Sequence, residues 1–312
     1  MSTIELVRAW LFITVVGFVF AVAALAILRR PAAWLAKRAV KPLSKFQRVM
    51  LVLAGIGVLC MAYAHWIEPY WIEVTRVSLS SPKLATASRL IRVAHISDLH
   101  CDPVERVENK MLSLIANEKP DLIVFTGDTM NRADSLPVLK QTLTQLAQIA
   151  PTFVVKGNWD VWYYPMLDLF GGTGVKELNN EAVKFDVAGT SLWLVGMPVS
   201  ETLNYEKAFA SVPPNAFTLM LYHYPDEIEA AQTRYVDLYC AGHTHGGQIA
   251  LPLYGALITF SKFDKKYEAG FFHEGPTWLY VNRGMGCEGT PHFRFFARPE
   301  VTMIELGKNG EQ

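Results

Sequence analysis

The 312-residue sequence is short of charge. Only 19% of its residues are Asp, Glu, Lys or Arg, and the two signs cancel to a formal net charge of zero. Without a basic surplus to neutralise a phosphate backbone, nothing in the composition points to a nucleic-acid partner. Cysteine is scarce too: Cys60, Cys101, Cys240 and Cys287 show no metal-like or redox spacing. Leaving aside Cys60 in an apolar N-terminal segment, the other three are an odd number for disulfide pairing. This leans toward a reducing compartment. No internal repeat of fixed period and no low-complexity tract is present.

Apolar residues are what the chain has in excess, at 51%. They concentrate at the N-terminus in two runs without formal charge, 10–28 (WLFITVVGFVFAVAALAIL) and 49–67 (VMLVLAGIGVLCMAYAHWI). Each approaches the ~20 residues that span a bilayer as a helix. The first run exceeds the ~7–15 apolar residues of a signal peptide. It also passes straight into Arg29-Arg30-Pro31 with no small-residue cleavage site. Residues 1–67 therefore read as a membrane anchor of two transmembrane helices in a phospholipid bilayer, the cell (inner) membrane.

The linker between the runs holds Arg29, Arg30, Lys37, Arg38, Lys41, Lys45 and Arg48 and no acid. The positive-inside rule places that linker in the cytoplasm and the remainder of the chain outside, against the lean of the cysteines. Trp66, Tyr70 and Trp71 follow the second run as an interfacial aromatic belt.

Residues 68–89 read as a connector and 90–312 as the folded domain. There, apolar runs alternate with helical periodicity. Strands are expected at LIRVAHIS, DLIVFTGD and TFVVKGN, and helices at VERVENKMLSLIANEK and LPVLKQTLTQLAQIA. A hairpin with Ala-Gly-Thr at its turn fits AVKFDVAGTSLWLVGM. FTLMLYH, VDLYCAGHTH, WLYVNRG and VTMIEL complete an α/β pattern.

Polar residues gather where these strands end: Asp98 and His100, Asp128, Asn158, His223, and His243 with His245. The rim beyond strand ends is where α/β sheets bind ligands. A Gly-Asp or Gly-Asn after a strand is by itself an ordinary turn. Three carboxylate or amide groups together with four imidazoles exceed what turns need. This mixture suits Mn²⁺, Fe or Zn²⁺ better than Ca²⁺ or a thiolate-bound metal. Asp102 and Asp160 read first as solvated turn residues, and His95 as core.

The set in this order, Asp-x-His (Asp98, His100), Gly-Asp (Asp128), Gly-Asn (Asn158), a single His (His223) and Gly-His-x-His (His243, His245), resembles the calcineurin-like metallophosphoesterases. The resemblance covers about residues 90–306. It implies a four-layer αββα sandwich and two divalent metal ions, Mn²⁺ foremost, with Fe or Zn²⁺ as alternatives. One ion would take Asp98, His100 and His245, the other Asn158, His223 and His243, with Asp128 between them. Asp98, His100, Asp128, Asn158 and His223 would carry the hydrolysis, through a hydroxide activated by the two ions.

IEPYWIEV, GHTHGGQIALP and the closing YVNRGMG…FRFFARPEVTMIEL resemble a membrane-anchored subgroup. Part of it acts as UDP-2,3-diacylglucosamine pyrophosphohydrolase in lipid A biosynthesis, which implies a lipid-linked nucleotide substrate and a cytoplasmic domain. A broader phosphomono- or diesterase of the cell envelope, and a non-catalytic scaffold, stand as alternatives. No protein partner is expected.

One position departs from the family. Many members have His after the Asn, where it is thought to protonate the leaving oxygen; here Trp159 stands there. General acid catalysis is worth roughly 10²–10⁴-fold. An alkoxide leaving group needs it far more than a phosphate whose second pKa is about 6. Trp159 thus favours a phosphoanhydride substrate, and it is expected to contact substrate, as is Arg294.

Overall fold

The computed structural model describes residues 2–40, 42–200 and 203–308. Lys41 of the basic linker and the last four residues of the expected domain lie outside them. The two apolar runs form α1 (Thr3–Leu35) and α2 (Lys45–Trp66), each longer than its apolar stretch. Capping extends them: Ser2 with Glu5, and Ser44 with Gln47, form reciprocal capping boxes. Small buried residues (Ala23, Ala26, Ala54, Ala64) lie along the hairpin, while Leu25 and Leu59 are 68% and 70% exposed. Large apolar side chains left this exposed are unlike the buried face of a soluble core helix. Both helices are long and apolar enough to cross a membrane.

The remaining elements follow in chain order. β1 (Glu73–Ser80), β2 (Ile91–Ile96), α3 (Glu108–Glu118), β3 (Leu122–Thr126), α4 (Leu136–Ile149), β4 (Thr152–Val155), α5 (Asn158–Tyr163) and β5 (Lys176–Glu177) come first. β6 (Glu181–Val187), β7 (Thr190–Gly196), α6 (Tyr205–Phe209), β8 (Phe217–Leu221), α7 (Ile228–Thr233) and β9 (Leu238–Ala241) build the middle. β10 (Ala250–Leu251), β11 (Gly255–Ala256), β12 (Gly270–Glu274), β13 (Thr277–Val281) and β14 (Glu300–Gly307) close the fold.

Two six-stranded sheets result, ordered β1-β14-β2-β3-β4-β5 and β12-β13-β9-β8-β7-β6. Alternation within β3 explains the layering. Leu122 and Val124 face the inter-sheet core with Leu194, Leu219 and Ile304. Ile123 and Phe125 face the opposite way, against Met111, Ile115, Leu139 and Leu143 of α3 and α4. With both faces covered, the strand is apolar throughout. Across the sandwich, Ala208, Ile228 and Ala231 of α6 and α7 cover Val195, Met220 and Tyr239. The four layers are therefore α, β, β, α. The hairpin turns on Ala188 and Gly189, at φ 49° and 78°, with Thr190 already in β7.

The segment taken as a connector needs correction. Its Glu73–Ser80 is β1, paired in parallel with β14 from Glu73↔Glu300 to Ser80↔Gly307. The sheet thus begins well before residue 90. The connector reading failed because β1 is an edge strand, half-exposed and rich in polar residues, without the apolar run of β3.

Candidate functional site

Strands β2, β3 and β4 run parallel in one sheet, and β8 and β9 run parallel in the other. Their carboxyl ends meet at one rim. The loops there are bound to one another: Asp98 N–H donates to the Gly127 carbonyl (2.9 Å), and His100 N–H to that of Asp128 (3.1 Å). Glycine precedes Asp128 and Asn158 for a steric reason. A Cβ on Gly127 would stand 2.4 Å from the Gly157 nitrogen, and one on Gly157 would stand 2.2 Å from Asp128 Oδ1. Gly127 also takes φ 88°, a conformation side chains disfavour.

The rim brings together all seven residues expected there. Ligand atoms of Asp98, His100 and His245 lie within 4.8 Å of one another, as do those of Asp128, His223 and His243. Asp128 Oδ2 stands 3.7 Å from His100 Nε2 and 3.3 Å from His223 Nε2. Asp98 Oδ1 stands 3.3 Å from His245 Nε2 and 3.8 Å from His223 Nε2. Both carboxylates therefore lie between the two groups. The Asn158 side chain opens α5 at the same rim and is buried.

Four polar atoms test whether these residues fit cations. Among the described residues, His100 Nδ1 and Nε2, His223 Nε2 and Asn158 Oδ1 are buried without a hydrogen-bond partner. Orphaned buried groups of this kind are costly, and cations would satisfy them. His223 Nδ1 lies 2.6 Å from the Thr126 carbonyl, which can only accept, so Nδ1 carries the proton and Nε2 offers its lone pair to the site. Nitrogen and oxygen donors without thiolate match first-row divalent ions.

The electrostatics agree. Burial drives the Asp98 carboxyl up, but the imidazoles of His245, His223 and His100 outweigh it and hold Asp98 well below the usual range. Burial, with Asp98 and Asp160 adding to it, raises Asp128 to about 6. Burial opposes the charged form of His223, yet Asp128 and Asp98 lift it to about 9, so without cations Nε2 is protonated as well, and a bound cation would displace that proton to take the lone pair. His100 and His243 are pushed well below 6.5, by burial and then by neighbouring imidazoles. Asp98, His100, Asp128, His243 and His245 all take φ between 40° and 71°. Left-handed residues without glycine's freedom cost of order 1–3 kcal/mol each and cluster at functional sites.

Asp160 is no solvated turn residue. It is fully buried and accepts from the N–H groups of Asp128, Thr129 and Gly157 at 2.9 Å each, and from Thr129 Oγ1 at 2.6 Å. It thus ties the Gly-Asp and Gly-Asn loops together. Its position three residues after a Gly N-cap allows this role without distinguishing it from a solvated turn. Asp102 is also buried, held by Arg106 Nε at 2.6 Å and His292 Nε2 at 2.9 Å.

Arg294 must be corrected as a substrate contact. Its side chain is fully buried, and its N–H groups donate to the carbonyls of Gly286, Ala297 and Arg283. Nη2 also lies 3.3 Å from His245 Nδ1, so Arg294 positions the loop behind His245. Trp159 donates its backbone N–H to Asp128 Oδ1 (2.8 Å) and Nε1 to Glu288 (3.2 Å), with its ring edge-on to His100. A cavity of about 250 Å³ lies over the rim, walled by Asp128, Asn158, Trp159, Tyr224, His243 and Glu288, among others.

Comparison with known proteins agrees with this geometry. The calcineurin-like phosphoesterase family matches residues 91–247. The uncharacterized metallophosphoesterase YkuE of Bacillus subtilis is 32% identical over 260 residues, 78% of this chain and 88% of that protein. The phosphodiesterase YaeI of Escherichia coli is 31% identical over 265 residues, 78% of this chain and 92% of its own length. The UDP-2,3-diacylglucosamine pyrophosphatase LpxG of Chlamydia trachomatis is 27% identical, covering 82% of this chain and 95% of its own. This chain belongs to the calcineurin-like phosphoesterases, a family whose fold implies two divalent metal ions, and is a metal-dependent phosphoester hydrolase.

Proposed function

We propose that this hydrolase is anchored by both helices and cleaves the pyrophosphate of UDP-2,3-diacylglucosamine, giving UMP and 2,3-diacylglucosamine 1-phosphate. The observation that carries the reading is Trp159. It occupies the position next to Asn158, and its one side-chain donor is already engaged by Glu288. Without a general acid there, substrates whose leaving group is a phosphate are favoured over alkyl esters. The LpxG relatives support the same substrate.

In this reading Asp98, His100 and His245 would hold one divalent ion. Asn158, His223 and His243 would hold the other, with Asp128, whose carboxylate stands beside both groups, available to either. Mn²⁺ is the first choice, with Fe or Zn²⁺ next. When bound, such a pair activates water and neutralises charge on phosphoryl oxygens. The chain's own part is to orient and exclude. His223 keeps its Nδ1 proton on the Thr126 carbonyl, Asp160 fixes the spacing of two loops, and Trp159 walls the cavity.

The start of α1 and the end of α2 both touch the phosphoesterase domain. Glu5 accepts from Thr259 and Phe260, Arg8 pairs with Asp264, and Glu68 accepts from Ala297. These contacts support a two-pass hairpin with the domain on one face and the basic linker on the other. A UDP-lipid made in the cytosol requires the domain to be cytoplasmic. The basic linker favours the opposite face, and with it a second reading: an extracytoplasmic envelope phosphodiesterase.

The test is Mn²⁺-supported hydrolysis of UDP-2,3-diacylglucosamine beside an aryl phosphodiester, with Asp98→Ala and Asn158→Ala as controls. A reporter fused after Gln312 reads the face. UMP formed by the wild type alone, with a cytoplasmic reporter, is the expected result. A purely extracytoplasmic reporter, with only the aryl ester cleaved, would establish the second reading instead.

A further inference from the structure

We infer that an acyl chain of the substrate lies in a lateral cleft between α1, α2 and the segments 249–251 and 293–295, running from the metal-binding rim into the bilayer. The inference rests on the membrane-lipid reading above and adds the site that holds the lipid.

Three cavities lie side by side and share walls. The cavity over the rim, about 250 Å³, shares His243, His245, Phe260 and Glu288 with a second of about 310 Å³. That second cavity is walled on its far side by Ala9, Phe12 and Ile13 of α1. Phe12 and Ile249 also line a third, of about 320 Å³, between the two helices. Its other walls include Val16, Phe20, Cys60, Met61, Phe293 and Phe295, all apolar. Polarity thus falls steadily from the rim, with its carboxylates and imidazoles, to a pocket with no charged wall.

Position relative to the bilayer selects the occupant. Trp10 and Trp66 are 64% and 70% exposed at the domain-side ends of α1 and α2. Aromatic side chains there mark the headgroup level. Phe12 to Phe20 spans about 12 Å along the helix, within the ~15 Å of one leaflet's hydrocarbon. A nucleotide or peptide would have to leave water to enter that pocket. A hydrocarbon chain whose headgroup sits at the rim is already at that depth. The rigid attachment of both helices, through Glu5, Arg8 and Glu68, keeps the cleft aligned with the rim.

The experiment uses the full chain in phospholipid vesicles and UDP-2,3-diacylglucosamine bearing a diazirine in one acyl chain. Crosslinks on the cavity-lining residues Phe12, Val16, Phe20, Cys60 and Met61, displaced by unlabelled substrate, are expected. Crosslinks confined to the outward residues Val15, Val52 and Leu59, or not displaced, would overturn the cleft. In parallel, Cys60→Trp should raise KM for the diacyl substrate about tenfold or more, with kcat/KM for the aryl diester unchanged. That unchanged value is the folding control, and the wild-type crosslinks stand whether or not the variant folds. Hydrolysis of the lipid with unaltered KM and no cleft crosslinks would overturn the cleft alone. A wild type that cleaves the aryl diester but neither cleaves nor crosslinks to the lipid would overturn the substrate reading and the cleft with it.

Discussion

Trp159 is the residue at which chemistry and sequence meet. Replacing it with His restores a proton donor beside Asn158 and frees Glu288. Trp159→His should therefore raise turnover of alkyl phosphoesters, by up to the roughly 10²–10⁴-fold that a general acid supplies. Turnover of a UDP-sugar pyrophosphate should change far less. Parallel assays on the two substrates decide it, and equal effects would remove the leaving-group argument. Asp160 makes a structural counterpart. In Asp160→Asn, one carboxylate oxygen becomes an NH₂ group facing donors, at about 1–3 kcal/mol for each donor left unpaired. A lower melting temperature and less bound metal are expected. An unchanged metal content would show that the two loops hold their spacing without the carboxylate. His95, buried just behind the rim, gives a pH dependence of stability. Burial holds its imidazole down to about 3, beside Thr126 Oγ1 at 2.9 Å. The unfolded chain has an ordinary value near 6.5. Between those limits the unfolded state binds a proton that the folded state does not, so stability falls as pH drops from about 6.5 toward 3. The slope from this group is about 1.4 kcal/mol per pH unit. His95→Gln should flatten the melting temperature against pH in that window, and an unchanged slope would contradict this.

Among the elements, those that sequence made legible share one physical property. β3, β4, β8 and β9 are buried along their whole length and β2 at all but Arg92, so each is a largely apolar run with a Gly or a metal-type residue within two positions of its end. The break in polarity locates the rim, and the rim locates the site. β1 was not legible, because an edge strand paired only with the distant β14 shows mixed polarity. Asp160 was hidden for a related reason: a Gly-Asn-x-Asp turn looks the same whether its carboxylate meets water or three backbone N–H groups. The docking of α1 left no local trace either, since Glu5 lies 254 residues from its partner Thr259. That contact is open to test. Glu5→Ala would leave the Thr259 and Phe260 N–H groups without their acceptor, at about 1–3 kcal/mol each. Phe260 packs toward His243, with ring centres 6.5 Å apart, and walls both the rim cavity and its neighbour. Faster limited proteolysis in 259–264 and a higher KM for lipid than for aryl diester are expected. Identical proteolysis of variant and wild type would show that α1 does not brace the loop.

At the scale of the whole molecule, the question is where the phosphoesterase unit begins. A boundary at residue 90 removes β1 together with Leu79 and Leu84 from the inter-sheet core. It also takes Ile72 from the layer beneath α3 and α4. It strips β14 of a parallel partner along the length of both strands, and an open edge of that kind invites pairing between chains. A boundary at Glu68 keeps all of these, and keeps the bond from the Ala297 N–H to the Glu68 carboxylate. What it loses is the α1 and α2 wall over Ile249 and Phe295. The two fragments should therefore differ in kind. Residues 68–312 are expected to fold in mild detergent, bind about two divalent ions per chain and hydrolyse the aryl diester while losing preference for the lipid. Residues 90–312 are expected to aggregate. Metal content and size-exclusion profiles of the two fragments measure this directly. Equal folding and metal content would mean that β1 only decorates the sheet and that the anchor's connector truly extends to residue 89. A difference would place β1 within the cooperative unit and make the membrane anchor a separate layer added to a complete phosphoesterase.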